Sequence, residues 1–136
     1  MRIDSFNGNI INTNKIYIHD YIFKGLKFDY LKKNVYAFLL KPNSEEDIIT
    51  ISFCNVLGLD MISCDFWGKS PHVFDWKFVE GEESLLTSRL FEEKNTHNYL
   101  NSKLDYITNL IETVMTLTSG DLLTITCEYI DFEMED

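Results

Sequence analysis

The sequence predicts an α+β domain in which a mainly antiparallel sheet, built as a meander plus a C-terminal hairpin, carries one or two short helices. Three observations predict it: a hairpin pattern from Leu110 to Glu133, a run of period-two segments from Tyr21 to Val79, and a helix-favouring stretch from Glu82 to Glu93. A chain of 136 residues, 45% hydrophobic and 14% aromatic, is long enough for one real core and short for two ordinary domains, so residues 1–136 are read as a single domain.

Taken in order, residues 1–15 are Asn-rich, which predicts irregular structure or one short edge strand at Ile10 to Asn12. Tyr21 to Tyr30 alternates, with Ile22, Leu26 and Phe28 on one face and Lys27 and Asp29 on the other. Leu31 to Asn34 is a turn, and Val35 to Lys41 is apolar on both faces, as strands in the middle of a sheet are. Pro42 to Asp47 is a charged connection. Ile48 to Asn55 alternates again and makes a third strand of the meander, and Leu59 to Cys64 reads as a further short strand beyond Gly58. Phe66 to Pro71 is a loop, and in His72 to Val79 the residues Phe74, Trp76 and Phe78 oppose Asp75 and Lys77.

Glu82 to Glu93 has helical composition with acidic residues near its start, where they suit the positive end of a helix dipole. Leu100, Leu104, Ile107 and Ile111 recur at helical spacing, giving a second helix from Asn98 to Asp105 in competition with the strand propensity of Tyr106 to Thr108. The closing hairpin sets Ile111, Met115 and Leu117 against Glu112, Thr116 and Thr118, turns at Ser119-Gly120-Asp121, and returns with Leu123, Ile125 and Cys127 on one face. Beyond Glu128 the apolar residues change parity to Ile130 and Phe132, which requires a bulge or a strand covered on both faces.

Twelve Lys and Arg against 22 Asp and Glu give a formal net charge of -10, which disfavours nucleic acid and anionic membranes and suits a cationic partner or a merely soluble acidic surface. Cys54, Cys64 and Cys127 have no Cys-x-x-Cys spacing and cannot all pair within one chain; reduced thiols in a cytoplasmic protein explain them most simply. The N-terminal residues lack an apolar signal core, and Val35 to Leu40 is far below the length of a membrane span.

Candidate site residues fall in three groups. His19-Asp20 is a His beside a carboxylate, a pair able to bind metal or transfer protons, although only His72 and His97 remain to complete a metal set and neither lies in a ligand motif. The structural alternative is that the pair bonds a backbone group where a strand begins. Phe66 and Trp67, in a loop with Gly and Pro, suit a protein-binding rim, whereas Trp76 belongs with its alternating neighbours in the core. Glu128, Asp131, Glu133, Glu135 and Asp136 crowd the C-terminal end, and on a strand Asp131, Glu133 and Glu135 share a face; such a stripe either binds a partner or keeps a sheet edge wet. Phosphate-binding glycine loops, the Gly-x-Ser-x-Gly elbow and His-Glu-x-x-His are all absent; an enzyme stays open, but no motif argues for one, and neither a metal nor a cofactor is expected.

Ile18-His19-Asp20, Gly25-Leu26-Lys27-Phe28, the apolar strand that follows, Ile51-Ser52-Phe53-Cys54-Asn55-Val56 and Gly58-Leu59-Asp60-Met61 together resemble the small bacterial immunity proteins of polymorphic toxin systems. The resemblance spans His19 to Met61, with echoes in Phe66-Trp67-Gly68 and the Ser119-Gly120 hairpin. In the branch concerned a Phe-His-Asp signature precedes similar strands; Ile18 stands here in place of the Phe, and Tyr21 where a small residue is expected. What the resemblance implies is a single cytoplasmic domain, not an enzyme, that binds and occludes a cognate toxin, with the acidic balance suiting a cationic one. Two alternatives stay open: a small metal- or ligand-dependent enzyme using His19, Asp20 and His72, and a subunit that completes its sheet edges by self-association.

Overall fold

A computed structural model of the chain describes residues 1–13, 16–62, 71–79, 84–93 and 109–133. Its elements are β1 (Arg2–Ile3), α1 (Asn9–Asn12), β2 (Ile22–Asp29), β3 (Asn34–Leu40), β4 (Ile48–Ile62), β5 (Val73–Val79), α2 (Leu85–Glu93), β6 (Ile111–Leu117) and β7 (Leu122–Phe132). All pairings are antiparallel in one sheet of order β2-β3-β4-β7-β6-β5, with β1 added to β7. The α+β class, the meander and the closing hairpin are therefore as the sequence predicts. No helix among the described residues is long and apolar enough to cross a membrane.

The two ends of that order meet. Ile22 bridges His72, and the seam is sealed by Asp20 N–H to Val73 O, Val73 N–H to Tyr21 O and Phe23 N–H to Pro71 O, each 2.8 Å. The sheet thus curls into a barrel-like ring whose inner face is the core. Register explains the packing: Phe28, Val35, Phe53, Ile130 and Ile3 lie side by side across β2, β3, β4, β7 and β1, as do Leu26, Ala37, Ile51 and Phe132 one row along. All of them except the edge residues Leu26 and Phe28 are at least 95% buried. From the opposite wall, Trp76 stacks on Phe132 with ring centroids 6.2 Å apart.

Bulges account for most departures from the expected faces. Between Phe23 and Gly25 the β2 register slips, so Phe23 joins Leu26 and Phe28 on the inner face while Ile22, expected there, pairs with Leu40 on the other. The slip between Val73 and Asp75 in β5 keeps Val73 and Trp76 inside and leaves Phe74, expected beside Trp76, outside and 60% exposed. Leu59 does not begin a new strand: β4 runs unbroken through Gly58, with one slip between Val56 and Gly58. At the chain's start the short strand falls at Arg2–Ile3, and Ile10 to Asn12, expected as an edge strand, is a single helical turn. The predicted helix from Asn98 to Asp105 lies outside the described residues, as do Cys64 and the residues of the Glu82–Glu93 stretch before Ser84.

The parity change in β7 has its cause in β4. Asn55 adopts φ +54° opposite the point of change, where pairing passes from Cys54–Tyr129 to Val56–Cys127. Left-handed backbone is tolerated by Asn better than by most residues, and here its side chain donates to Glu128 Oε2 at 2.8 Å while its amide donates to Asn34 Oδ1 at 3.2 Å. Both strands reverse faces together, so Ile51 and Phe53 before the kink, and Leu123, Ile125 and Cys127 across from the residues after it, enter the same core. β7 is also covered from outside: the outer row Gly58, Thr126, Glu112 and Val79 sits under α2, whose Leu86 and Leu90 are buried. A Cβ on Gly58 would stand 3.1 Å from Leu90 Cδ1, so the glycine sets how closely α2 lies on the sheet.

The N-terminal segment closes the outer edge of β5 with side chains. Asn12 accepts from Phe78 N–H at 2.8 Å and donates to Phe78 O at 3.2 Å, which imitates a neighbouring strand. Asn12→Ala frees both backbone groups at an exposed edge and is expected to cost about 1–2 kcal/mol, read as a lower urea midpoint at unchanged slope. An unshifted midpoint would show that the contact contributes nothing.

Candidate functional site

Opposite the core, the first half of the sheet presents an outer face that no described element covers. Lys27, Tyr36, Ser52, Asp131 and Arg2 are register neighbours across β2, β3, β4, β7 and β1. Beside this row lie Cys54 and Tyr129 on one flank and Phe38 and Thr50 on the other, again as direct pairs. α2, which would otherwise compete for such a face, sits further along the barrel over β4 and β7 at Gly58 and Thr126.

Asp131 is central to this row. Its side chain is 54% exposed and its Oδ1 lies 3.8 Å from the Met1 ammonium, which also donates to Phe132 O at 2.9 Å. Arg2 lies over the Tyr129 ring, 3.9 Å from guanidinium carbon to centroid, so β1 fixes both neighbours of Asp131. Glu133 is exposed as well, with the buried Phe132 between the two acids, as alternation requires. Glu135 and Asp136 lie outside the described residues, as do Phe66 and Trp67. Tyr36, Ser52, Tyr129 and Arg2 have no sequence signal that links them; only the register brings them to Asp131.

The thiols nearest this face offer no nucleophile. Burial pushes the Cys127 thiol well above its ordinary value, and Cys54 is raised for the same reason, with the Tyr129 hydroxyl pulling against the shift. Both stay protonated near neutral pH and behave as small apolar side chains. The neighbouring Cys54 in turn pushes the Tyr129 hydroxyl upward, so that group is a neutral donor or acceptor on the face.

His19 and Asp20 sit elsewhere, at the seam. His19 Nδ1 lies 2.7 Å from Phe74 O, which can only accept, so the imidazole donates there and ties β5 to the segment entering β2. Its Nε2 faces Asp20 Oδ1 at 3.4 Å, and Asp20 holds φ +68°. His72 lies at the same seam, with its backbone N–H donating to Thr118 Oγ1 at 2.9 Å. Among the described residues no group of three or more His, Cys, Asp or Glu is placed to hold a metal ion.

The other polar cluster missed by sequence reasoning is buried. Glu112, expected on the solvent face, is 3% exposed. Its Oε1 accepts from Thr87 N–H at 2.8 Å, Thr87 Oγ1 at 2.9 Å and Thr126 Oγ1 at 3.0 Å. Thr87 is the third residue of α2, whose first turn has no acid of its own, so a strand carboxylate serves one of the helix's unpaired amides. This cluster anchors a helix and is closed to ligands.

Comparison of the sequence with protein-family models and with curated proteins found no match.

Proposed function

We propose that the chain is a non-enzymatic protein-binding module, acting as an immunity protein that neutralises a cognate cationic toxin by binding it and occluding its active site. The observation that carries this reading is the uncovered outer row through Tyr36, Ser52 and Asp131, flanked by Tyr129. A broad β-sheet face bearing Tyr and Ser side chains supplies contact area with little conformational entropy to lose, which is the chemistry of protein recognition. The net charge of -10 favours a cationic partner through long-range steering, and on the face itself Asp131 and Glu133 stand among Lys27, Arg2 and the Met1 ammonium as local acceptors.

The test starts from the gene neighbourhood, where an adjacent toxin gene would supply the toxin domain to be titrated. Asp131→Lys with Glu133→Lys is expected to weaken toxin binding by about tenfold or more, mostly through the association rate, with the wild-type rate falling as salt rises. Circular dichroism establishes that the double variant folds. Full neutralisation by a folded double variant, a salt-insensitive association rate, or a gene neighbourhood without a toxin each counts against the reading.

A further inference from the structure

The seam between β2 and β5 carries an exposed aromatic cluster that packing does not require. Tyr17 is 63% exposed and Phe74 60% exposed, and His19 lies between them with ring centroids 6.1 Å from Tyr17 and 6.0 Å from Phe74. Two backbone features hold the group in place. The slip in β5 puts two successive residues, Phe74 and Asp75, on the outside, so a ring and a carboxylate stand next to each other where plain alternation would bury one of them. The left-handed conformation of Asp20 sets its carboxylate against the imidazole while leaving the side chain 59% exposed. His19 is itself fixed by its bond to Phe74 O, so the imidazole at the centre of the cluster is oriented before any ligand arrives.

We propose that Tyr17, His19 and Phe74, with Asp20 and Asp75, form a docking site for the guanidinium of an arginine side chain carried by the protein partner. The inference rests on the reading of this chain as a binder of a cationic protein and adds a second contact, at the seam and apart from the Asp131 row. Rings attract a cation over their faces, and carboxylates beside them add charge-assisted hydrogen bonds. Arginine fits better than lysine because its planar, weakly hydrated head stacks on a ring while its edge N–H groups remain free to donate to a carboxylate. The charge of -10 makes a cation the complementary occupant.

The experiment is an NMR titration of the full, isotope-labelled chain with N-acetyl-arginine methylamide. Its citrulline counterpart, neutral and of nearly the same shape, and its lysine counterpart are titrated in parallel. Saturable shifts are expected at Tyr17, His19 and Phe74 with arginine, weaker ones with lysine and none with citrulline. Phe74→Ala and Asp20→Asn, both at exposed side chains, should each weaken the arginine complex about fivefold. The site is overturned by an absence of saturable shifts, by equal shifts with citrulline or lysine, or by wild-type affinity in the folded Phe74→Ala variant. Shifts confined to Tyr129 and Asp131 would overturn the seam site while leaving the outer-face reading standing. Loss of the seam site and loss of toxin binding are therefore separate outcomes.

Discussion

Glu112→Ala is expected to lower stability by about 3 kcal/mol, because the lost carboxylate leaves several buried donors without an acceptor at once. Thr87 N–H, Thr87 Oγ1 and Thr126 Oγ1 all converge on Glu112 Oε1. Thr126 is fully buried and Glu112 nearly so, so little water reaches the gap. Thr87 Oγ1 and Thr126 Oγ1 lie 3.2 Å apart and can still bond each other, which spares part of the loss and leaves the helix amide as the costly orphan. Glu112→Gln keeps one acceptor at the same reach while losing the charge and turning the second oxygen into an NH2 donor, so it should cost about 1 kcal/mol. Urea unfolding at constant slope measures both. Equal losses for Ala and Gln would mean that charge rather than hydrogen bonding holds the site, and a loss under about 0.5 kcal/mol for Ala would mean that α2 does not depend on it.

Strands are legible because alternation is strong over Ile48 to Asn55 and both arms of the closing hairpin, and because Val35 to Leu40 is a short unbroken apolar run between turn residues. Faces were less so, since a single unpaired residue reverses everything after it and leaves no mark in composition. Ile22 and Phe74 lie on the side opposite to the one plain alternation predicts for this reason. The parity change at Ile130 was visible in the sequence, but its origin in the left-handed Asn55 is 75 residues away and depends on pairing. Glu112 looked like a solvent-facing residue because nothing local announces a helix laid over its face from Leu85 to Glu93. For the candidate site, the exposure of Asp131 and Glu133 followed from alternation alone. Their neighbours Tyr36, Ser52 and Arg2 did not, nor did the bond from His19 to Phe74, because contacts between distant strands are fixed by register and closure of the ring.

Register also predicts the largest contrast within a single row. Phe28 and Phe53 are separated only by Val35 on the inner face, yet Phe28 is 48% exposed and Phe53 1% exposed, because the seam to β5 reaches only as far as Phe23 and leaves the rest of β2 an edge, whereas β4 lies between β3 and β7. Phe53→Ala removes a ring enclosed by neighbours that include Val35 and Ile130, and the rigid sheet around it cannot collapse to fill the space. A cost of about 3–5 kcal/mol is expected, enough to threaten folding in a domain of ordinary stability. Phe28→Ala removes a ring that is stacked on Tyr30 at 6.2 Å and already half in water, so its cost should stay under about 1 kcal/mol. The two substitutions delete the same atoms from the same chemical type of residue, and a comparison of their urea midpoints isolates burial from residue identity. Similar losses for both would mean that β2 is covered in solution, and the edge position of Phe28 would then have to be abandoned.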